Sequence, residues 1–518
     1  MHMSSQFSED TGELPVLVVG AGPAGLVLAL ELARRKIPVR VIDAAPAPVL
    51  ASKAKGLQPR TLEIFEDLGL IDPIQEDGGE FPRWRTYDGS KLLWEKAIWE
   101  LLGRGKPVAT PARPYAATWM IPQWRTEDIL RNALLDHGID VEFGIEFLWS
   151  EERADGVTAT VRIDGQEDAI ACRYLVGADG AGSAVRKSLG IAYSGQTSED
   201  ELYIVADVKA GALEPGYWMN WTPDGDKSRR VSLCPLPRSD YFQFVAPLPP
   251  DQPVPELTLE TLQTLFNART GRSDIALTDA RWIIAHRPNT RLADAMRDGS
   301  VFLVGDAAHS PPTSPGQGLN ISVQDAYNLG WKLAAVMQGA DPSLLDTYEE
   351  ERRPIAAGVL GVLARALTEK GMSAEEAEER QRRIQSDIFH LDHNYRGASL
   401  STVSKGGDVA VQAGDRAPDG PVTGMSGRPV RLFDLMRGTH VMVLNFVSGT
   451  NDLASALAPQ PGLRVVVIPP TAANHAIRRA YGVTDNGPTL FLIRPDGYVG
   501  VRSDRSRDLE DWLHRVFG

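Results

Sequence analysis

Val16-Leu17-Val18-Val19-Gly20-Ala21-Gly22-Pro23-Ala24-Gly25 is the stretch on which the fold turns. The valine-rich apolar run reads as a buried strand, and it feeds a glycine turn. From Ala24 onward, Leu26, Leu30 and Ala33 recur at helical spacing, and Arg34, Arg35 and Lys36 close the helix. Positive charge there suits the negative end of the helix dipole. A second strand, 39–42, ends on Asp43. This strand–turn–helix–strand context is what gives Gly-x-Gly-x-x-Gly its meaning as a dinucleotide fingerprint. Gly20 permits the tight turn, Gly22 lets a pyrophosphate approach the backbone, and Gly25 lets the helix pack closely on the sheet. Pro23 and Ala24 complete the turn at the helix start, whose dipole favours phosphate. Asp43 falls where a carboxylate accepts hydrogen bonds from an adenosine ribose. The competing interpretation is a tight strand–helix turn without a ligand.

The 518 residues leave room for two to four domains, and 43% hydrophobic and 24% charged content is ordinary for a globular protein. A net charge of −14 argues against nucleic acid or an anionic membrane as general partner. The polar, acidic opening to Pro15 resembles neither a signal nor a transit peptide, and no apolar run is long enough to span a membrane. Cys172 and Cys234 are the only cysteines, which excludes a Cys-x-x-Cys redox centre and a flavin disulfide reductase and fits a cytoplasmic location. His390 and His393 flank Asp392 in a polar segment and are expected on a solvated face rather than on a metal.

After Asp43, the segment Ser52-Lys53-Ala54-Lys55 leads to a helix over 61–68. Residues 78–115 read as an irregular insertion carrying Trp84, Trp94, Trp99 and Tyr115, suited to lining an apolar pocket. Gln123 opens a further helix. Residues 174–186 repeat the strand, glycine turn and helix pattern around Asp179-Gly180. Residues 194–290 are strand-like and aromatic without strand–helix alternation, which predicts a separate antiparallel sheet.

The third glycine site is Val304-Gly305-Asp306-Ala307-Ala308-His309, continuing through Pro312 to Gly316-Gln317-Gly318-Leu319-Asn320 and a helix. Asp306 at a strand end can accept bonds from a polyol, and amides at the helix start stabilise an anion. Together the Gly20–Gly25 fingerprint, the Asp179-Gly180 turn and the Gly305-Asp306 motif resemble, in order and spacing, the single-component FAD-dependent aromatic hydroxylases. These are the class A flavoprotein monooxygenases, including phenol and polyketide hydroxylases. The likeness covers residues 14–365. It implies that Asp43 and Gln123 hold FAD, that Asp306 binds its ribitol, and that Pro312, Gly316, Gly318, Leu319 and Asn320 surround the isoalloxazine. Asp179-Gly180 is associated in such enzymes with FAD and NAD(P)H. Lys53 stands where these enzymes usually have arginine, and a lysine cannot grip a phosphate bidentately.

The resemblance implies an α/β architecture: a Rossmann-like FAD-binding domain (14–80, 116–193 and 291–365) with an inserted β-sheet substrate domain (81–115 and 194–290). A helical linker (366–411) and a thioredoxin-like domain (412–518) follow. That last domain has strands over 441–447, 463–468 and 489–493, a helix over 474–481 and a closing helix over 507–517. It contains no cysteine, so packing or homodimerisation replaces redox chemistry, and Gly487-Pro488-Thr489 resembles the thioredoxin cis-proline site.

The implied activity is monooxygenation. NADPH or NADH, bound transiently, reduces a non-covalent FAD; O2 adds to it, and a flavin C4a-hydroperoxide hydroxylates a small aromatic, phenolic or polyketide-like substrate. Lys55, Arg238 and Tyr241 are candidates for activating a phenol. Baeyer–Villiger oxygenation and a non-catalytic flavoprotein are the alternatives. A flavin halogenase would need a second tryptophan in register with Trp119-Met120-Ile121-Pro122, which is absent.

Overall fold

The computed structural model describes residues 14–103, 105–311, 316–362, 368, 372–403, 410–424, 427–447, 461–483 and 489–517. Val16–Val19 is buried on both faces and lies inside a six-stranded sheet. Tyr174–Gly177 and Val39–Asp43 flank it in parallel, and Val301–Leu303 and Val141–Phe143 extend the sheet in parallel outward. Arg297–Asp298 closes one edge antiparallel. The helix Pro23–Ala33 is buried along almost its whole length, which explains its apolar composition. It packs on the helix Gly318–Met337 so closely that a Cβ on Gly330 would lie 2.6 Å from the Glu31 Cβ. Arg34 and Arg35 follow the last turn and pair with the buried Glu31.

A seven-stranded sheet forms the second layer, in the order Thr278–His286, Leu202–Lys209, Tyr241–Leu248, Val231–Pro235, Tyr217–Trp221, Arg83–Asp88, Lys91–Lys96. One expectation is corrected here. Residues 78–115 are not simply irregular: Arg83–Asp88 and Lys91–Lys96 form a hairpin at the sheet's edge. The strands that 194–290 contributes to this sheet pair antiparallel with one another, and Arg83–Asp88 joins them in parallel with Tyr217–Trp221. No short hairpin joins these two distant segments, so neither direction is imposed on them.

Cross-strand partners share a face. Ala206, Phe244, Leu233 and Met219 line one face and pack with Leu262 and Phe266 of the helix Leu259–Thr270. The opposite face carries Trp282, Asp207, Gln243 and Cys234 in a row across four strands, with Trp84 beside Trp218.

The C-terminal sheet runs Leu463–Ile468, Val441–Phe446, Thr489–Ile493, Val499–Ser503, with the first pair parallel and the next two antiparallel, and Thr402–Val403 adds a parallel edge strand beside Val499–Ser503. This is the strand order of a thioredoxin-like core. The sheet and the helix Ser506–Phe517 share an apolar cluster with Trp331 and Ala335 of the Gly318–Met337 helix. Among the described residues no helix is long and apolar enough to cross a membrane.

Candidate functional site

Three chain turns meet at the C-terminal edge of the parallel sheet, where ligands of such sheets bind. Gly20 has φ 109°, and a Cβ there would lie 2.4 Å from the Ala178 carbonyl oxygen. A Cβ on Gly25 would lie 2.0 Å from the Gly20 oxygen. Both positions therefore require glycine for internal packing. Gly22 differs: among the described residues nothing lies within 4 Å of its missing side chain, which leaves space before the helix start. Pro23 and Ala24 form the first turn beyond it. Asp43 braces the loop by accepting from the Ala21 amide at 2.7 Å and the Ala45 amide at 2.8 Å.

At the second turn, Asp179 Oδ2 accepts from the amides of Ala184 and Val185 at 2.7 and 3.1 Å. Its Oδ1 is buried with no hydrogen-bond partner among the described residues, as a carboxylate awaiting a donor would be. At the third turn Gly305 has φ 61°, and a Cβ there would meet Ser322 at 2.9 Å and the Ala24 Cβ at 3.3 Å. Gly305 thus lets the helix starts approach each other. The Asp306 side chain stays open to solvent, though surrounding protein raises its carboxyl pKa against the pull of His309 and Lys53.

Gly316 has φ 76°, and among the described residues nothing lies within 4 Å of where its side chain would be. Gly318 and Leu319 begin the helix, and Gly318 lies against Pro311. Asn320 is fully buried: its Oδ1 accepts from the Gln58 amide, and its Nδ2 donates to the carbonyls of Gly56 and Gly316. Its direct work is to tie the third turn to the 56–58 segment. Pro312 and Pro488 lie outside the described residues.

The 52–55 segment joins this cradle to the polar face of the seven-stranded sheet. Gln123 clamps it from the cradle side, with its Oε1 accepting from the Ala54 amide at 3.0 Å and its Nε2 donating to Glu127 at 2.8 Å. Asp207 holds it from the sheet side by accepting from the Ser52 amide at 2.9 Å. Gln243 bonds both Ser52 and Lys55. Lys53 is exposed, and its charge acts on Asp306, Glu127 and His286. Burial pushes the Glu127 carboxyl up to about 7, against the hydrogen bond from Gln123 and the charges of Arg131 and Lys53.

Sequence reasoning missed Glu127, although its i, i+4 spacing from Gln123 places both on one helix face. It also missed the relay behind the third turn. There His309 Nε2 lies 2.5 Å from Asp325, Arg352 Nε donates to Asp325 at 2.7 Å, and Arg352 Nη1 donates to Tyr395 at 3.0 Å. No local motif marks that relay.

Of the phenol-activating candidates, Lys55 alone reaches the face between the two layers. Arg238 is exposed and donates to the Glu76 carbonyl, and Tyr241 donates to Asp279 beneath the Arg281 guanidinium. Trp119 is a packing residue whose indole donates to Ile74. The expectation of a solvated His390–His393 face is overturned. Both rings are buried and stacked 4.6 Å apart, and burial drives both pKa values down. Among the described residues no cluster of metal-ligating side chains occurs.

Gly22, Gly316, the unpartnered Asp179 oxygen and the solvent-open Asp306 together fit a large polar ligand such as a flavin dinucleotide. Comparison with known proteins agrees. Residues 13–362 match the model of the FAD binding domain, and residues 411–518 match that of the aromatic-ring hydroxylase C-terminal domain. The chain is 43% identical to a flavin-dependent monooxygenase of Mycobacteroides abscessus over 507 residues, covering 97% of this chain and 100% of that protein. It is 31% identical to pentachlorophenol 4-monooxygenase of Sphingobium chlorophenolicum over 535 residues, covering 96% and 95%. A solved ternary complex of aklavinone-11 hydroxylase with FAD and aklavinone superposes with a TM-score of 0.79 at 28% identity, covering 98% and 99% of the two chains. The non-catalytic alternative gives way to these names, and the chain belongs to the FAD-dependent monooxygenases of the aromatic-ring hydroxylase family.

Proposed function

We propose that the protein hydroxylates a small phenolic or polyketide-like aromatic at the expense of NAD(P)H and O2. One oxygen atom enters the ring and the other leaves as water, while the nicotinamide supplies two electrons. The observation that carries this reading is the 52–55 segment, which brings the cradle against a sheet face bearing Trp84, Trp218 and Trp282. In this reading the planar aromatic lies between the two layers, where exclusion of water would protect a reactive oxygen donor.

In this reading FAD is held non-covalently. Gly20, Gly22, Pro23, Ala24 and Gly25 receive its pyrophosphate, and Asp43, Lys53 and Gln123 hold its adenosine side. Asp179, Gly305 and Asp306 take its polyol, and Pro312, Gly316, Gly318, Leu319 and Asn320 border its ring. When bound, the flavin supplies the two-electron and oxygen chemistry; the residues position it, position the substrate and exclude water. The FAD-holding segments are 14–80, 116–193 and 291–365, and the substrate sheet comprises 81–115 and 194–290.

The test is NAD(P)H oxidation by the FAD-loaded protein with a panel of phenols and polycyclic aromatics. Expected is at least about a tenfold rise with a true substrate, a coupling of roughly 1.4 kcal/mol. The product should be one oxygen atom heavier and labelled from isotopic O2. Coenzyme oxidation that no aromatic stimulates, yielding only hydrogen peroxide, would refute the proposal.

A further inference from the structure

Lys55 is half-buried between the cradle and the sheet. Its Nζ donates to Gln243 and lies 4.9 Å from the centre of the Trp218 ring. Among the described residues no carboxylate stands within ion-pair distance of it, whereas the fully buried Lys332 has Glu351 at 2.7 Å. The titratable groups beside Lys55 are Asp207 and Cys234. Asp207 turns one oxygen to the Ser52 amide, and burial raises its pKa, which weakens its claim as a counter-ion. Burial pushes the Cys234 thiol up to about 12, so it carries no charge near neutrality.

A half-buried ammonium that has a neutral amide and an indole face beside it but no carboxylate at ion-pair distance is stabilised by a bound anion. The surroundings suit a flat anion. Phe81 and Trp84 contact Trp218 at 5.6 and 4.8 Å between ring centres. The Trp84 indole N–H is buried without an acceptor among the described residues.

Resting on the monooxygenase reading above, we propose that Lys55 holds the oxyanion of a phenolate or enolate on a planar substrate stacked against Trp84 and Trp218. Lys55 acts as a fixed positive charge rather than as the base. It selects acidic phenols and favours the ionised, electron-richer ring that oxygen transfer requires.

The experiment titrates 4-nitrophenol into the FAD-loaded protein across pH, with the phenol's own colour reporting its ionisation when bound. Expected is a bound pKa at least about one unit below the free value, a tenfold preference for the phenolate. Lys55→Met should abolish the shift, and Lys55→Arg should keep most of it. Failure of 4-nitrophenol to bind the wild type, or equal ionisation in wild type and Lys55→Met, overturns the proposal. The wild-type shift needs no variant, so a misfolded Lys55→Met does not shield it. FAD content and anaerobic flavin reduction by NAD(P)H, measured on the same preparations without phenol, separate the two claims. Their loss strikes the monooxygenase reading. Their retention with an unshifted phenol strikes Lys55 alone.

Discussion

Gly22 and Gly25 stand three residues apart, yet their substitution should give opposite signatures. A Cβ at Gly25 would sit 2.0 Å from a backbone oxygen, so Gly25→Ala must displace the helix from the sheet. A loss on the order of 3 kcal/mol in apoprotein stability is expected. Gly22 has open space and φ −75°, so Gly22→Ala should cost the apoprotein at most about 1 kcal/mol, through poorer helix capping. The same methyl would occupy space proposed for the pyrophosphate, and FAD affinity should fall at least about tenfold. Chemical denaturation of the apoproteins and flavin titration check the pair; equal stability losses would dissolve the distinction. The turn around these glycines is legible in sequence because its constraints are local. The raised carboxyl of Glu127 is not, because it depends on burial beneath segments far away in the chain. Asn320 is an intermediate case. Its position announces a special turn, but its bonds to Gln58 and Gly56 reach across more than 260 residues.

Between elements, the helix Asp346–Val359 and the turn after Thr489–Ile493 are joined by buried charges. Glu351 receives both Arg494 guanidinium nitrogens, at 2.5 and 2.8 Å, and Lys332 at 2.7 Å. Burial alone would raise the Glu351 pKa, but the Arg494 and Lys332 charges and their hydrogen bonds prevail and hold it at about 2. The folded value is depressed, so the stabilisation is present above the unfolded glutamate pKa of about 4.3. It is lost as pH falls from there towards 2. Glu351→Gln should cost about 3 kcal/mol at neutral pH, since it leaves the buried Lys332 without a carboxylate and Arg494 with Asp496 alone, and should flatten the acid limb of the stability profile. An unchanged acid limb would show that this carboxylate does not control acid unfolding. Sequence pattern identified the strand over 489–493, but nothing in Arg494-Pro495-Asp496-Gly497 names a partner 143 residues away. The helix Leu259–Thr270 escaped notice for a different reason. Its signals are the Thr258 cap, Leu262 and Phe266 four apart, and Gly271 in the left-handed region at φ 67°, all embedded in a strand-rich stretch.

Across the whole molecule, the question is whether the C-terminal domain is an appendage or part of one folding unit. Its core is shared with the flavin-binding half: Trp331 and Ala335 pack with Val443, Leu490, Leu492 and Trp512. Polar ties accompany that contact. The Trp331 indole and the Asn328 amide donate to Asp496, Arg416 pairs with Glu63, and Arg431 pairs with Glu66. Separating the halves would bare the tryptophan and leave several buried charges without partners, at about 3–5 kcal/mol for each broken pair. The halves should therefore unfold together, and FAD bound to one should protect the other. Free FAD at about a hundred times its dissociation constant adds roughly 2.7 kcal/mol to any opening that releases it. Amide hydrogen exchange supplies the measurement. Val18 and Val176 report on the parallel sheet, while Val443 and Leu492 report on the C-terminal sheet. If unfolding is shared, FAD slows the slowest-exchanging amides of both sheets by the same factor, about a hundredfold. Protection confined to Val18 and Val176 would mean that the C-terminal domain opens alone, with the Glu351–Arg494 contact breaking before the flavin leaves.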